Sequence, residues 1–154
     1  MTFDFDLIQW LMGRPAQVSA SAVSAERGTP GEISAVLGYG DGRSGTVLAS
    51  GLMPKSFPFS TGYRAVFEQG ALDLQNVFEG GPPKTSFTFY PAEGSAHHVE
   101  VQGNNPYEKE LRLFADTIRG EVAGDLLAPE HAMNALTLSI ATQRSLRERR
   151  AIEL

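Results

Sequence analysis

Four groups of side chains in this 154-residue sequence have types and spacings that bear on chemistry. Asp4 and Asp6 put two carboxylates where a first helical turn begins, a place in which negative charge favours the positive end of the helix dipole. Gly40, Gly42 and Gly45 spell a literal G-x-G-x-x-G. A dinucleotide site needs those glycines between a strand and the opening of a helix, with an acid about 20 residues further on to hold the ribose. Here the continuation is Thr46-Val-Leu-Ala-Ser50, which is β-type, and Asp41-Gly42 is a favoured hairpin pair. The loop therefore reads as a hairpin. His97 and His98 are adjacent on a strand, so their rings point to opposite faces and do not share an ion. The remaining histidine, His131, falls on a helix. Catalytic zinc asks for three protein ligands and an open position, and no such spacing exists, so the pair reads as a solvated strand start. Arg144, Arg147, Arg149 and Arg150 crowd the last turns of a helix, where cations suit the dipole.

The elements that hold these groups follow from periodicity. Phe3, Leu7, Trp10 and Leu11 draw one apolar stripe down a first helix, which Gly13 and Pro15 terminate. Gln17–Ala25 alternates apolar and hydroxyl residues, as a strand with two unlike faces does, and its small side chains leave one face flat. Residues 27–31 form a turn cluster, and Glu32–Leu37 and Thr46–Ser50 read as further strands. Gly51–Gly62 reads as a connector broken by two prolines, with Phe57 and Phe59 folding back on the core; the less favoured alternative is that they line a pocket. Tyr63–Phe67 and Ala71–Leu74 form a hairpin around residues 68–70; Lys84–Tyr90 and His98–Gln102 supply the last strands. Asn105 caps a helix whose stripe is Tyr107, Leu111, Phe114, Ala115 and Ile118, with Gly120 ending it. A second long helix runs from Pro129 to about Arg149. Ala132, Met133, Leu136 and Ile140 make one stripe on it, and Ala135, Leu138 and Leu146 widen the apolar surface enough to wedge it between layers. Ala151–Leu154 reads as a short closing strand.

Bulk properties narrow the class. The composition, 42% apolar and 20% charged, is that of a globular α+β domain. A net charge of −5 removes the electrostatic footprint of a nucleic-acid binder. The chain contains no cysteine, which excludes disulfides, thiol catalysis and cysteine-ligated metal and fits a reducing compartment. The first residues lack the positive n-region of a signal peptide, and no apolar run reaches the ~20 residues that span a bilayer. A cytoplasmic domain with no nucleic-acid and no membrane partner is expected. No Ser, His and acid stand in nucleophile contexts.

The first eighteen residues resemble the second domain of the Gfo/Idh/MocA oxidoreductases, relatives of glucose–fructose oxidoreductase and inositol dehydrogenase. In that family Asp-x-x-x-His-x-x-Asp leads into a hydrophobic pair, then x-Trp-Leu-x-Gly-x-Pro-x-x-Val. Asp6, Trp10, Leu11, Gly13, Pro15 and Val18 match in order. The strand–Gly–strand segment Tyr63–Leu74 is similar to the family's too. So are Asn105-Pro-Tyr with Glu110-Leu, Phe114 and Ile118, the Pro129-Glu segment with Ala132 and Ala135-Leu, and Ser145 with Arg150 before the tail. The resemblance covers nearly the whole chain.

The resemblance implies a single α+β domain over residues 1–154, with one large, mostly antiparallel sheet. Helices would pack on one face, and the other face would serve self-association. It also implies that NAD or NADP belongs to a separate Rossmann domain. Chemistry there is hydride transfer between a sugar or cyclitol carbinol carbon and the nicotinamide, with a Lys from the Rossmann domain and a His from the second domain handling the proton. The family's catalytic His falls at position 3, which is Phe3, and its partner Asp falls before Met1. The expectation is a chain with no catalytic, cofactor-binding or metal residue of its own, in which Asp4 and Asp6 are substrate-side candidates. It is expected to act as the substrate-side and oligomerisation domain of an oxidoreductase, a homo-oligomer with a Rossmann-domain partner. The alternative is a stand-alone, non-catalytic binding or scaffold module derived from that domain. An in-frame G-x-G-x-x-G and a Glu-Lys-Pro-like segment upstream of Met1 would separate the two.

Overall fold

A computed structural model describes residues 1–25, 30–101 and 105–154. Two units emerge, one built from Met1–Met53 and Leu111–Leu154, the other from Pro54–Glu110. The element content is α+β with antiparallel strands throughout, as expected.

The first unit opens with helix α1 (Thr2–Met12), which Gly13 closes at φ +80°, a backbone angle that glycine adopts without strain. Three strands follow: β1 (Gln17–Ser24), β2 (Pro30–Gly38) and β3 (Ser44–Ser50). Alternation places Val18, Leu37, Ala35 and Val47 on one face of this sheet, all buried. Helix α3 (Pro129–Glu148) lays Ala135, Leu138 and Ala141 on that face beside Phe5 of α1. The tail forms strand β8 (Ile152–Glu153), which pairs antiparallel with β1 so that Ile152 sits opposite Val18. The sheet order is β3-β2-β1-β8. Residues such as Phe5 and Leu138, taken wholly out of water, each contribute about 1.5–3 kcal/mol. The fully buried Ser145 ties three segments together: its hydroxyl accepts the Ala20 N–H at 2.9 Å and donates to the Arg150 carbonyl at 2.6 Å.

The second unit is a meander of β4 (Phe59–Phe67), β5 (Gly70–Phe78), β6 (Lys84–Pro91) and β7 (His97–His98), in the order β4-β5-β6-β7. One face carries Tyr63, Leu74 and Phe87 on one rung and Ala65, Leu72 and Phe89 on the next. The other face is polar, with Arg64 Nη2 2.9 Å from Asp73 Oδ1. None of the described residues of this unit is buried. Helix α2 (Pro106–Arg119) follows; Asn105 Oδ1 accepts the Tyr107 N–H at 3.1 Å, and Gly120 at φ +73° ends the helix.

Several expectations change. The strands form two four-stranded sheets instead of one large sheet. Phe59–Gly62 belongs to β4 and not to a connector. Phe57 and Phe59 do not fold back on the core: both are exposed, and Phe59 packs instead on Phe78, ring centroids 5.3 Å apart. The last strand stops at His98; Gln102, like Arg27–Thr29 of the turn cluster, lies outside the described residues. On α1 the stripe of Phe3, Leu7 and Trp10 faces outward while Phe5, Ile8 and Met12 meet the core. Helix α3 is covered on one side only, leaving Met133, Leu136 and Ile140 exposed. No residue of α2 is buried, and its stripe of Tyr107, Leu111, Phe114 and Ile118 is open to solvent.

Candidate functional site

The start of α1 holds both candidate carboxylates, and the helix separates them. Asp4 turns toward the chain's own amino group, 3.1 Å from Met1 N. Asp6 lies three residues after Phe3 and four before Trp10, so the three share one helix face. All three are exposed, Phe3 at 91% and Trp10 at 66%. Among the described residues Asp6 has no hydrogen bond or ion pair. The helix start is held from below by Phe5 in the core, and the Thr2 hydroxyl lies 3.4 Å from that of Ser139 on α3. This geometry gives one solvated carboxylate between two aromatic rings. Such a group accepts hydrogen bonds from hydroxyls, and the rings offer apolar surface to the carbon skeleton that carries them. Phe3 has no proton to take or give.

The glycine-rich loop is the β2–β3 turn. The Tyr39 N–H donates to Arg43 O and the Gly42 N–H to Tyr39 O, each at 3.0 Å, with Gly42 at φ +87°. Asp41 accepts from the Arg43 backbone at 3.1 Å and from its guanidinium at 2.7 Å; these bonds, the backbone one first, hold the Asp41 carboxyl below its usual range. The Arg43 guanidinium sits 5.1 Å from the Tyr39 ring centre. The loop thus spends its polar groups on itself and leads into β3, as a hairpin does. Burial raises the Tyr39 phenol pKa, and its hydroxyl has no hydrogen-bond partner among the described residues.

The imidazoles lie apart. His98 stands opposite Thr88 and His97 opposite Phe89, both exposed, with the His97 ring edge-on to Phe89 at 5.2 Å. His131 Nε2 lies 3.1 Å from the Asp125 carbonyl oxygen in a 3-10 turn. Among the described residues no three metal-ligating side chains converge. In the arginine cluster, Arg144 Nε donates to Glu148 at 2.6 Å; this bond, joined by one from Arg150, keeps the Glu148 carboxyl below its usual range.

A groove of about 460 Å³ lies across β4 and β5, lined by Phe57, Ser60, Gly62, Arg64, Asp73 and Gln75; of these only Phe57 was a pocket candidate in the sequence. The available signal was a glycine in the middle of a strand, which marks close backbone approach. A Cβ at Gly62 would stand 2.5 Å from the Leu74 carbonyl oxygen.

No family model and no curated protein matches the sequence. Solved structures do match the fold. The WlbA dehydrogenase from Bordetella pertussis, in complex with NADH and UDP-GlcNAcA, is 18% identical with a TM-score of 0.70; the match covers 99% of this chain and 43% of that one. An aldose-aldose oxidoreductase from Caulobacter crescentus, complexed with glycerol, is 16% identical with a TM-score of 0.75, over 99% and 45%. An oxidoreductase from Thermotoga maritima is 16% identical with a TM-score of 0.69, over 99% and 42%. These neighbours are oxidoreductases of the Gfo/Idh/MocA type, so the chain has a fold found within that group. It spans about half the length of the structures it matches. Among the described residues no helix is long and apolar enough to cross a membrane.

Proposed function

We propose that the chain is the substrate-side and oligomerisation domain of an NAD(P)-dependent oxidoreductase that acts on a sugar or cyclitol hydroxyl. The observation that carries this reading is the fold match, complete for this chain and partial for its oxidoreductase neighbours. Hydride transfer needs an acceptor and a group for the hydroxyl proton. With Phe3 where the resemblance puts a histidine, the proton and the nicotinamide are the business of a Rossmann-domain partner. Asp6 supplies a hydrogen-bond acceptor for substrate hydroxyls, between Phe3 and Trp10. Asp4, off the helix face that Phe3, Asp6 and Trp10 share, contributes less. The flat outer face of the first sheet, where Ser19, Val36 and Thr46 form one rung and Ser21, Ser34 and Leu48 the next, suits close packing against another copy.

Phe3 also favours a second reading, a non-catalytic binding module of the same descent. Trp10 is the sole tryptophan and reports on both. Cyclitols and aldoses at millimolar concentration are expected to change Trp10 fluorescence, with a response several-fold weaker in Asp6→Asn and unaltered in Asp4→Asn. NADH added to the chain alone is expected to give no saturable signal. Saturable NADH binding by this chain, or a polyol response indifferent to Asp6→Asn, refutes the assignment.

A further inference from the structure

Strand β4 is the outermost strand of its sheet, and it lacks the devices by which proteins protect such edges. The edge strands β7 and β8 are two residues long, and β3, with seven residues, has no aromatic side chain. β4 runs nine residues from Phe59 to Phe67 without proline, lysine or bulge, and most of its residues are exposed. Its single charge, Arg64, is paired with Asp73 at 2.9 Å, and long edges with so little free charge are templates for another strand. Val66 is 79% exposed and Phe59 69% on a unit that contains no buried residue among those described. These two lie on opposite faces of the sheet, and a four-stranded sheet with so little burial on either face gains stability from further strands.

We infer that β4 pairs antiparallel with β4 of a second copy, about a two-fold axis through Tyr63, to make one continuous eight-stranded sheet. The hydrogen-bond parity of the strand comes first. The Ala92 N–H donates to Gln69 O at 3.0 Å, which makes Gly70–Pro91 a non-hydrogen-bonded pair of β5 and β6 and leaves Gly70 bonded to Phe67 of β4. Counting back along the ladder, the odd-numbered residues of β4 bond β5, while Ser60, Gly62, Arg64 and Val66 turn their N–H and C=O groups outward. An antiparallel partner must therefore meet even residues with even ones.

Three such registers lie near the middle of the strand, and side chains choose between them. Centring on Arg64 sets two guanidinium groups directly opposite each other, which repels. Centring on Gly62 faces Phe59 with the partner's Ala65 and leaves Phe67 beyond the end. Centring on Tyr63 overlaps all nine residues. It pairs Phe59 with the partner's Phe67 at both ends and stacks the two Tyr63 rings on the axis, aromatic cross-strand pairs that stabilise a sheet. It also places the partner's Arg64 opposite Gly62, on the polar face, over the groove between Ser60, Asp73 and Gln75. The missing side chain at Gly62 is the space that arginine needs. The outward groups of the two strands then exchange about eight backbone hydrogen bonds.

The full chain has no cysteine, so introduced thiols give unambiguous cross-links. On the axis the two positions 63 form a non-hydrogen-bonded pair with Cα atoms about 4.5 Å apart, within disulfide range. Tyr63→Cys treated with a mild oxidant is expected to run as a covalent dimer on a non-reducing gel. Ala65→Cys, which faces Thr61 of the partner, is expected to remain single. Val66→Lys, a charge at an exposed edge position, is expected to halve the light-scattering mass, and this holds the test open if Tyr63→Cys misfolds. The inference is overturned by a single-chain mass of about 16.6 kDa for the unaltered protein across micromolar concentrations, or by equal cross-linking through positions 63 and 65. A dimer dispersed by Leu48→Lys on the first sheet but indifferent to Val66→Lys overturns it as well, and assigns association to the outer face of β1–β3 instead.

Discussion

Burial without a partner makes the Tyr39 hydroxyl a cost that the fold carries at every pH and more heavily in base. Its phenol pKa is raised above the usual 10.0 by burial, only partly offset by the Arg43 charge. For an acid whose folded pKa lies above its unfolded one, the stabilisation is complete below the unfolded value and is lost as pH climbs through the folded value. Removing the hydroxyl leaves the ring in the core and deletes an unsatisfied group, a change that is neutral or stabilising by up to about 1 kcal/mol. Tyr39→Phe is therefore expected to match or exceed the unaltered protein in urea denaturation near neutrality. It should also lose less stability between neutral pH and the alkaline side of 10.0. A loss of more than about 1 kcal/mol on substitution would mean that the hydroxyl has a partner after all.

At the scale of elements, the two sides of α3 make opposite predictions. Leu138 is 1% exposed and sits in the core cluster, so Leu138→Ala is expected to cost about 2–5 kcal/mol. Leu136 is 55% exposed, and Leu136→Ala is expected to fall within about 0.5 kcal/mol in thermal unfolding of the single chain. The sequence indicated that this helix exists, where it starts and that it is apolar over much of its circumference. It did not indicate which side faces the sheet. Periodicity finds a stripe, but α1 and α3 each carry two, and the choice between them is made by strands far away in sequence. On α1 the stripe with the larger residues, Phe3 and Trp10, is the one left outside, while Phe5 enters the core. Strands were legible where alternation was clean, as in β1 and β6, and the hairpin at Asp41-Gly42 followed from turn chemistry alone. The start of β4 was not legible, because Pro58 and the preceding turn hid Phe59–Gly62 inside an apparent connector. The carboxylates at the helix start were found from their type and spacing. The groove over Gly62 was missed because it arises from strand register, which a single strand read alone does not encode.

For the molecule as a whole, the buried residues all belong to the first unit, and the second contributes none among those described. Local opening is cheapest where few apolar groups are sequestered. In dilute solution, amide hydrogens of β4, β5 and β6 are expected to exchange faster than those of β1, β2 and α3, and to slow as protein concentration rises and β4 finds its counterpart. Equal protection in both units, independent of concentration, would contradict both the uneven core and the edge pairing.

The first unit is assembled from the two ends of the sequence, with Ser145 bonded to Ala20 across 125 positions and the whole second unit threaded between. Joining such distant segments costs only about 0.6 kcal/mol for each doubling of the intervening length. What fastens them is therefore side-chain packing and not peptide continuity. A chain nicked at the Gly80–Pro83 turn leaves β1–β3 on one piece and α3 on the other, each with half of a single hydrophobic seam. The two pieces have reason to find each other again, which makes this fold a natural scaffold for fragment complementation.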